Sequence, residues 1–241
     1  MKLKYIVVGT GRCGTVFMAR YLTSLGIPCG HEAVFDWHGL SKAQKIFEND
    51  YLPHLSYVST MSFEKGKWIP EPNWLDDVSK IEAESSYMSA PFLLHPILEN
   101  VSIIHVVRDP VKVVHSFCHH IEYFTSDSPS NPYEGFIYKH LPELSKKMSH
   151  YDRASLFCVV WNELIEKSNV SLFYKIEDDP QTIADFLQKD SKEAFSNKKA
   201  NSISRWSDQT FQTYLIESSE IRQRFIDLGR RYGYRMNAVF I

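Results

Sequence analysis

Three glycines and one arginine follow a short apolar run near the start of the chain, in the stretch YIVVGTGRCGTV (5–16). A strand that turns through such a loop into a helix directs several backbone amides at one point, where an anion binds. Arg12 adds a positive charge there and Thr15 a hydroxyl, and the helix N-terminus should lower the pKa of the Cys13 thiol. The predicted anion-binding residues are Gly11, Arg12, Cys13, Gly14, Thr15 and Val16.

The loop alone does not decide which class of anion it binds. Its glycine spacing is G-x-G-x-x-G (9–14), which is typical of dinucleotide sites, and Glu32 lies near the acidic position of that fingerprint. However, the second predicted strand is short and contains proline and glycine, and Arg12 inside the turn is unusual for such a site. A triphosphate loop needs lysine where Thr15 stands, and a cysteine phosphatase loop needs arginine where Ala19 stands.

A second stretch, HVVRDPVKVVHS (105–116), has the composition of a phosphate site of its own. Arg108 comes at the end of a strongly predicted strand, and Ser116 follows about two turns into the next helix. An arginine at the mouth of a strand and a hydroxyl on the adjoining helix can bind one phosphate together. Two separate anion sites suit a ligand that carries phosphates at both ends.

Alternating strands and helices must position these two stretches. The alternation predicts an α/β fold, with a central parallel β-sheet flanked by helices on both faces. Ligands of such sheets bind beyond the carboxyl ends of the strands, so Gly9, Glu32, Ser85 and Arg108 should share one edge. The predicted strands are 3–9, 27–30, 79–84, 101–107 and 170–176. The predicted helices are 15–25, 89–98, 110–120, 152–167, 182–187 and 208–232, and the segments 35–75 and 125–150 have no clear pattern.

Composition limits the class of protein. The chain has 241 residues, of which 44% are hydrophobic and 23% charged, which predicts a soluble globular protein with one domain over 1–241. A formal net charge of -2 argues against a protein that coats nucleic acid. No apolar run has the length of a membrane span. Four cysteines without a C-x-x-C pair argue against a zinc site and suit reduced thiols, so we expect a cytoplasmic protein.

Taken together, GTGRCGT (9–15) and VVRDPVKVVHS (106–116) resemble the two nucleotide motifs of the sulfotransferases that use 3'-phosphoadenosine 5'-phosphosulfate (PAPS). The motifs occur in the order found in that family, and FYKIED (173–178) is similar to a segment found late in it. The resemblance implies a P-loop-like sulfotransferase fold. It also implies that the first loop holds the 5'-phosphosulfate, that Arg108 and Ser116 hold the 3'-phosphate, and that no metal is needed.

The resemblance also implies catalytic roles. Arg12 stands where the family carries lysine or arginine, and would stabilise the charge that develops on the leaving phosphate. CGHE (29–32) is similar to the C-G-E-E segment of protein-tyrosine sulfotransferases, whose second glutamate is the proposed base, so Glu32 is the predicted base. His31 is the alternative base, because cytosolic sulfotransferases use a histidine.

Two further segments bear on the resemblance. KKANSISRW (198–206) is similar to the basic segment that closes over the nucleotide, so Lys199 and Arg205 are predicted to contact the 3'-phosphate. The family often carries a lysine near the end of its third strand, where this chain reads IEAESSY (81–87) without a cation. Either a serine there hydrogen-bonds in place of the lysine, or a lysine arrives from another segment.

The acceptor, whose hydroxyl or amine would receive the sulfuryl group, is not specified by these motifs. It could be a carbohydrate, a small molecule, a lipid or a peptide. Aromatic residues in the irregular segments could line its pocket: Trp37, Trp68, Trp74, Tyr123, Phe124, Tyr133 and Phe136. Two other functions stay open, a kinase-like phosphoryl transferase with Asp109 as magnesium ligand, and a non-catalytic nucleotide-binding protein.

Overall fold

The computed structural model describes residues 3–48, 80–121, 123–126, 128–129, 131–145, 147–190 and 212–236, and the backbone of 61–64 and 67–70. The predicted nucleotide contacts Lys199 and Arg205 lie outside the described residues, as does Trp74. The strands are β1 (Tyr5–Val8), β2 (Cys29–His31), β3 (Met61–Glu64), β4 (Lys67–Pro70), β5 (Ala83–Ser85), β6 (Ser102–Val107) and β7 (Val170–Lys175). The helices are α1 (Thr15–Ser24), α2 (Leu40–Phe47), α3 (Pro110–His119), α4 (Pro132–His140), α5 (His150–Glu166), α6 (Gln181–Phe186) and α7 (Ser219–Arg231).

Five of the strands form one parallel sheet in the order β2-β5-β1-β6-β7, which confirms the predicted α/β class. β1 occupies the centre, where Val7 pairs with Ser85 of β5 and Val8 with His105 of β6. Because the strands are parallel, the loops that follow their carboxyl ends lie along a single edge. The segments that begin at Gly9, Glu32, Ser86 and Arg108 therefore share this edge, as the sequence predicts.

The core lies on both faces of this sheet. Side chains alternate along β1, so Ile6 and Val8 pack toward the face covered by α3, α5 and α7, while Val7 packs toward α1 and α6. All four cysteines are buried and none forms a disulfide. Within the described ranges, no helix has the length and apolar character that crossing a bilayer requires.

The segment predicted as a helix over 89–98 is different in the structure. It forms two short 3-10 helices, Tyr87–Phe92 and Pro96–Leu98. Pro91 and Pro96 lack the amide hydrogens that a continuous α-helix would use, so the prediction of one α-helix is wrong.

The other differences concern β5, which begins at Ala83 within the predicted strand 79–84, and segments that lack a strong sequence pattern, including the antiparallel β3–β4 pair. α2 and α4 occupy segments to which the sequence assigns no element, and α4 begins where the Asn131 side chain accepts a hydrogen bond from the Glu134 amide (3.0 Å). The last helix was predicted from residue 208, but α7 begins at Ser219, with Ser218 as its N-cap. A short 3-10 helix, Thr213–Leu215, precedes it.

Trp161 of α5 connects the core to the edge that carries the two motifs. Its side chain is fully buried, its indole Nε1 donates to the Tyr87 carbonyl oxygen (2.9 Å), and its ring lies 5.1 Å from that of Phe157. Replacement of such a side chain leaves a cavity and an unpaired carbonyl. Trp161 therefore holds the turn after β5 in place.

Trp161→Ala should lower the free energy of unfolding by about 3–5 kcal/mol, because it creates a large cavity. Leu94→Ala is the control, since Leu94 is 73% exposed, and it should change stability by less than about 0.5 kcal/mol. Urea unfolding followed by circular dichroism measures both variants. Equal midpoints for the two variants would show that the packing around Trp161 is not as described.

Candidate active site at the carboxyl edge of the sheet

The loop between β1 and α1 presents the N-terminus of a helix at the sheet edge. Gly14 is the N-cap residue with φ 108°, a conformation that suits glycine, and no described side chain caps this end. The first amides of a helix have no acceptor within it, so this end attracts an anion. The Cys13 amide instead donates to the Thr10 carbonyl oxygen (3.3 Å), which closes the turn. Burial raises the pKa of the Cys13 thiol to about 12, so the predicted lowering is wrong.

The structure brings the two motifs into direct contact. Arg12 Nε donates to Ser116 Oγ (2.8 Å), and Arg108 Nη1 donates to the Arg12 carbonyl oxygen (3.0 Å). Arg12 adopts a left-handed backbone with φ 67°, which is uncommon for a residue other than glycine. This conformation belongs to the turn that joins β1 to α1, beside the end of β6.

The electrostatics of this pair of arginines suit the binding of an anion. Burial and the charge of Arg108 together lower the pKa of Arg12 to about 10. Among the described residues, no carboxylate lies within ion-pair distance of either guanidinium. Two cations that are close together repel each other, and their partial removal from water costs further free energy. A bound anion would reduce both the repulsion and the cost of lost hydration.

The turn that carries Arg108 is fixed by the neighbouring strand end. Asp109 caps α3 by accepting from the Val111 amide (3.0 Å), and its own amide donates to Glu177 Oε1 (3.4 Å). Tyr234 hydroxyl donates to the second oxygen of Glu177 (2.8 Å). Sequence reasoning gave Glu177 no role, although it lies in the family-like segment FYKIED. Asp109 is occupied as a helix cap, which weakens its candidacy as a magnesium ligand.

His31 lies at the end of β2 and contacts the loop after β1. Its Nε2 lies 3.1 Å from Thr15 Oγ1, and Ser85 Oγ donates to the Thr15 carbonyl oxygen (2.7 Å). Burial, followed by the charges of Arg20 and Arg12, lowers the pKa of His31 to about 3. The imidazole is therefore neutral at physiological pH and only weakly basic.

Glu32 follows His31 and has the opposite electrostatic character. Burial raises the pKa of its carboxyl to about 8, and the charges of Glu84 and Asp36 contribute to the rise. Its backbone is left-handed with φ 55°, and its amide donates to the Ser85 carbonyl oxygen (3.4 Å). A carboxyl that titrates near neutral pH is suited to accept a proton from a hydroxyl.

Tyrosines surround Glu32. Burial raises the pKa of Tyr87, Tyr123 and Tyr133, and the charge of Glu32 adds to each rise, which places the three phenols near its carboxyl. The Tyr87 hydroxyl is buried and accepts or donates no hydrogen bond among the described residues. Trp37 packs edge-on against Tyr133 with ring centroids 4.7 Å apart.

The predicted pocket-lining aromatics do not all share this location. Phe124 and Phe136 belong to the hydrophobic core, with exposures of 0% and 3%. Trp68 lies on β4, of which only the backbone is described. Trp37, Tyr123 and Tyr133 therefore remain the described candidates for contact with an acceptor.

The serines at the end of β5 do not take the place of a lysine. The Ser85 hydroxyl serves the Thr15 carbonyl, and the Ser86 hydroxyl donates to the Phe35 carbonyl (2.7 Å). A lysine lies near this strand end: Lys42 of α2 is buried, its Nζ lies 2.7 Å from Asp36 Oδ2, and its charge lowers the pKa of Glu84. Its charge lowers the pKa of Glu32, against the larger effect of burial. Sequence reasoning missed Lys42 because α2 had no recognisable pattern.

The chain belongs to the sulfotransferase domain family, whose family model matches residues 2–214. The match covers both motifs and every strand of the parallel sheet. Comparison with curated proteins gives no match. Family membership makes the chain a transferase that moves a sulfuryl group.

Because no described carboxylate lies within ion-pair distance of the arginine pair, a small polyanion should stabilise the protein. We expect millimolar inorganic pyrophosphate to raise the melting temperature by about 3 °C. A shift of this size corresponds to a ligand concentration about ten times the dissociation constant. Ionic strength is matched with sodium chloride, and differential scanning fluorimetry measures the shift. Arg12→Gln should lose the shift, whereas Arg230→Gln on the exposed face of α7 should keep it. A full shift in Arg12→Gln would place the anion elsewhere.

Proposed function

We propose that this protein transfers a sulfuryl group from PAPS to a hydroxyl or amine of an acceptor. The observation that carries the proposal is the direct contact between the loop after β1 and the turn after β6 through Arg12, Arg108 and Ser116. A donor with a 3'-phosphate and a 5'-phosphosulfate would supply the two anionic groups that this arrangement attracts. The family generally uses this donor.

Each end of the donor has a matching set of residues. Gly11, Gly14, Thr15 and Val16 form the loop and helix start that would hold the 5'-phosphosulfate, together with Arg12. Arg108 and Ser116 would hold the 3'-phosphate. The Cys13 amide donates within the turn, so Cys13 would maintain the conformation of the loop and would not donate this hydrogen bond to the anion. Lys199 and Arg205 stay predicted contacts to the 3'-phosphate.

Arg12 would act on the reaction by electrostatics. PAPS supplies an activated sulfuryl group, and negative charge develops on the phosphate oxygen from which that group departs. A guanidinium that is already fixed near this oxygen stabilises the charge without further reorganisation. Arg12 would not donate a proton readily, because its pKa of about 10 lies well above physiological pH.

Glu32 is favoured over His31 as the base. Its carboxyl has a pKa near 8, whereas the imidazole has a pKa near 3 and its Nε2 is engaged with Thr15. A base whose conjugate acid titrates close to the working pH removes a proton most effectively. The acceptor hydroxyl would approach Glu32 from the side of Tyr123 and Tyr133.

The donor end of the proposal is tested by binding of adenosine 3',5'-bisphosphate. Arg108→Gln should raise the dissociation constant of the bisphosphate about 10- to 100-fold, because a charged hydrogen bond to phosphate is lost. Adenosine 5'-phosphate, which lacks the 3'-phosphate, should bind both proteins alike. Isothermal titration calorimetry measures the constants, with Arg230→Gln as the matched control.

The same titration separates the alternatives. Binding of the bisphosphate in the presence of a chelator agrees with the proposal, whereas preference for ATP with magnesium would favour the kinase-like function. Tight binding without turnover on carbohydrate, phenol, lipid or peptide acceptors would favour a non-catalytic protein.

Glu32→Gln should lower kcat by about 10²- to 10⁴-fold while leaving bisphosphate affinity unchanged, because only proton removal is lost. In the unchanged protein, kcat/KM should rise with pH through about 8, since the carboxyl must lose its proton to act as a base. Transfer of labelled sulfate from PAPS measures both, using an acceptor from the screen. Glu48→Gln, at the exposed end of α2, is the control, and full activity of Glu32→Gln would reject Glu32 as the base.

A further inference from the structure

Glu84 is a charged residue in the interior of the sheet. It lies on β5 opposite Gly30 of β2, and its side chain is fully buried. Burial of a carboxylate in such a place is costly unless hydrogen bonds compensate it. Its position, one strand away from Glu32, relates it to the candidate base.

The hydrogen bonds of Glu84 are made to the turn that follows Glu32. Its Oε1 accepts from the amides of Val34 (3.0 Å) and Phe35 (3.2 Å). Its Oε2 is buried without a hydrogen-bond partner among the described residues. A Cβ placed on Gly30 would lie 2.5 Å from Oε2, so the glycine leaves the space that this carboxylate occupies.

Neighbouring contacts extend this attachment on both sides. The Glu32 amide donates to the Ser85 carbonyl oxygen (3.4 Å), and Ser86 Oγ donates to the Phe35 carbonyl oxygen (2.7 Å). Three consecutive residues of β5 and its end therefore bind the segment 32–35. Because Glu32 has a left-handed backbone with φ 55°, its conformation depends on contacts that hold the flanking residues.

We infer that Glu84 is a positioning residue for Glu32, because its hydrogen bonds fix the turn at 33–35 that follows the candidate base. The inference rests on the proposed role of Glu32 in catalysis. It gives a reason for a buried carboxylate on β5, in the segment IEAESSY (81–87) that lacks the lysine of the family. Glu84 itself is too deeply buried to meet the acceptor.

The charge of one carboxyl affects the ionisation of the other. Amides of the turn favour the charged form of Glu84, whose pKa burial raises to about 7, whereas burial and the charge of Glu84 raise the pKa of Glu32 to about 8. A negative charge on Glu84 therefore makes Glu32 hold its proton more strongly. The other groups that face this pair are Asp36, Lys42, Arg12, Cys29, Tyr87, Tyr123 and Tyr133.

The positioning role is tested by amide hydrogen exchange in the full chain. Glu84→Ala removes the acceptor and should speed exchange of the Val34 and Phe35 amides at least tenfold, while Glu84→Gln keeps an oxygen acceptor and should change it little. Glu82→Gln is the matched control, because Glu82 precedes β5 and its side chain is 40% exposed beside Lys4. Unchanged exchange at both amides in Glu84→Ala would overturn the positioning role.

The charge effect is tested by titration of Glu32 with ¹³C-labelled glutamate and nuclear magnetic resonance. Glu84→Gln should lower the pKa of Glu32 by about one unit, because a neighbouring like charge is removed. The acid limb of kcat/KM should move to lower pH by the same amount, with no change in bisphosphate affinity. An unchanged Glu32 titration would overturn the charge effect.

These measurements separate the inference from the proposal on which it rests. Full activity of Glu32→Gln would reject Glu32 as the base, yet the exchange and titration results on Glu84 would stand. Conversely, unaltered exchange and titration in the Glu84 variants would reject the inference while leaving the role of Glu32 intact.

Discussion

Two neighbouring arginines, with no described carboxylate within ion-pair distance, are the constraint on which the site depends. Arg108 donates to the backbone of Arg12, and Arg12 donates to Ser116, so the loop after β1, the turn after β6 and helix α3 form one unit. The contact requires β1 and β6 to be neighbours, as they are at the centre of the parallel sheet. Without an anion, the protein bears the repulsion between these charges, and a bound anion would reduce it.

The base side of the site depends on a different device, the anchoring of a short turn by side chains from an adjacent strand. Glu84 and Ser86 bind residues just after Glu32, and Ser85 binds both the Glu32 amide and the Thr15 carbonyl. Arg12 and Glu32 both have left-handed backbones, and each stands at the turn after a strand of the same sheet. Strained conformations of this kind persist where surrounding contacts determine them, which is common at functional sites.

The sequence was sufficient where one strong local signal determined the structure. β6 is a buried run of branched residues ending at Arg108, and the glycines after β1 mark a loop, so both motifs could be placed at one edge in advance. α2 could not be recognised, and Lys42 and its partner Asp36 were missed with it, because their pairing exists only in the folded chain. The role inferred for Glu84 shows the same limit. Its carboxylate accepts a hydrogen bond from an amide fifty residues earlier, and no local sequence pattern reveals such a contact.

Because all four thiols are buried, the reactivity of each one reports local opening of the structure around it. Each sulfhydryl has a raised pKa, so little reactive thiolate exists while the fold is closed. Cys13 lies in the loop after β1, Cys29 on β2, Cys118 on α3 and Cys158 on α5. A slow alkylating agent followed by peptide mass spectrometry would thus time the exposure of four separate regions, without any engineered probe.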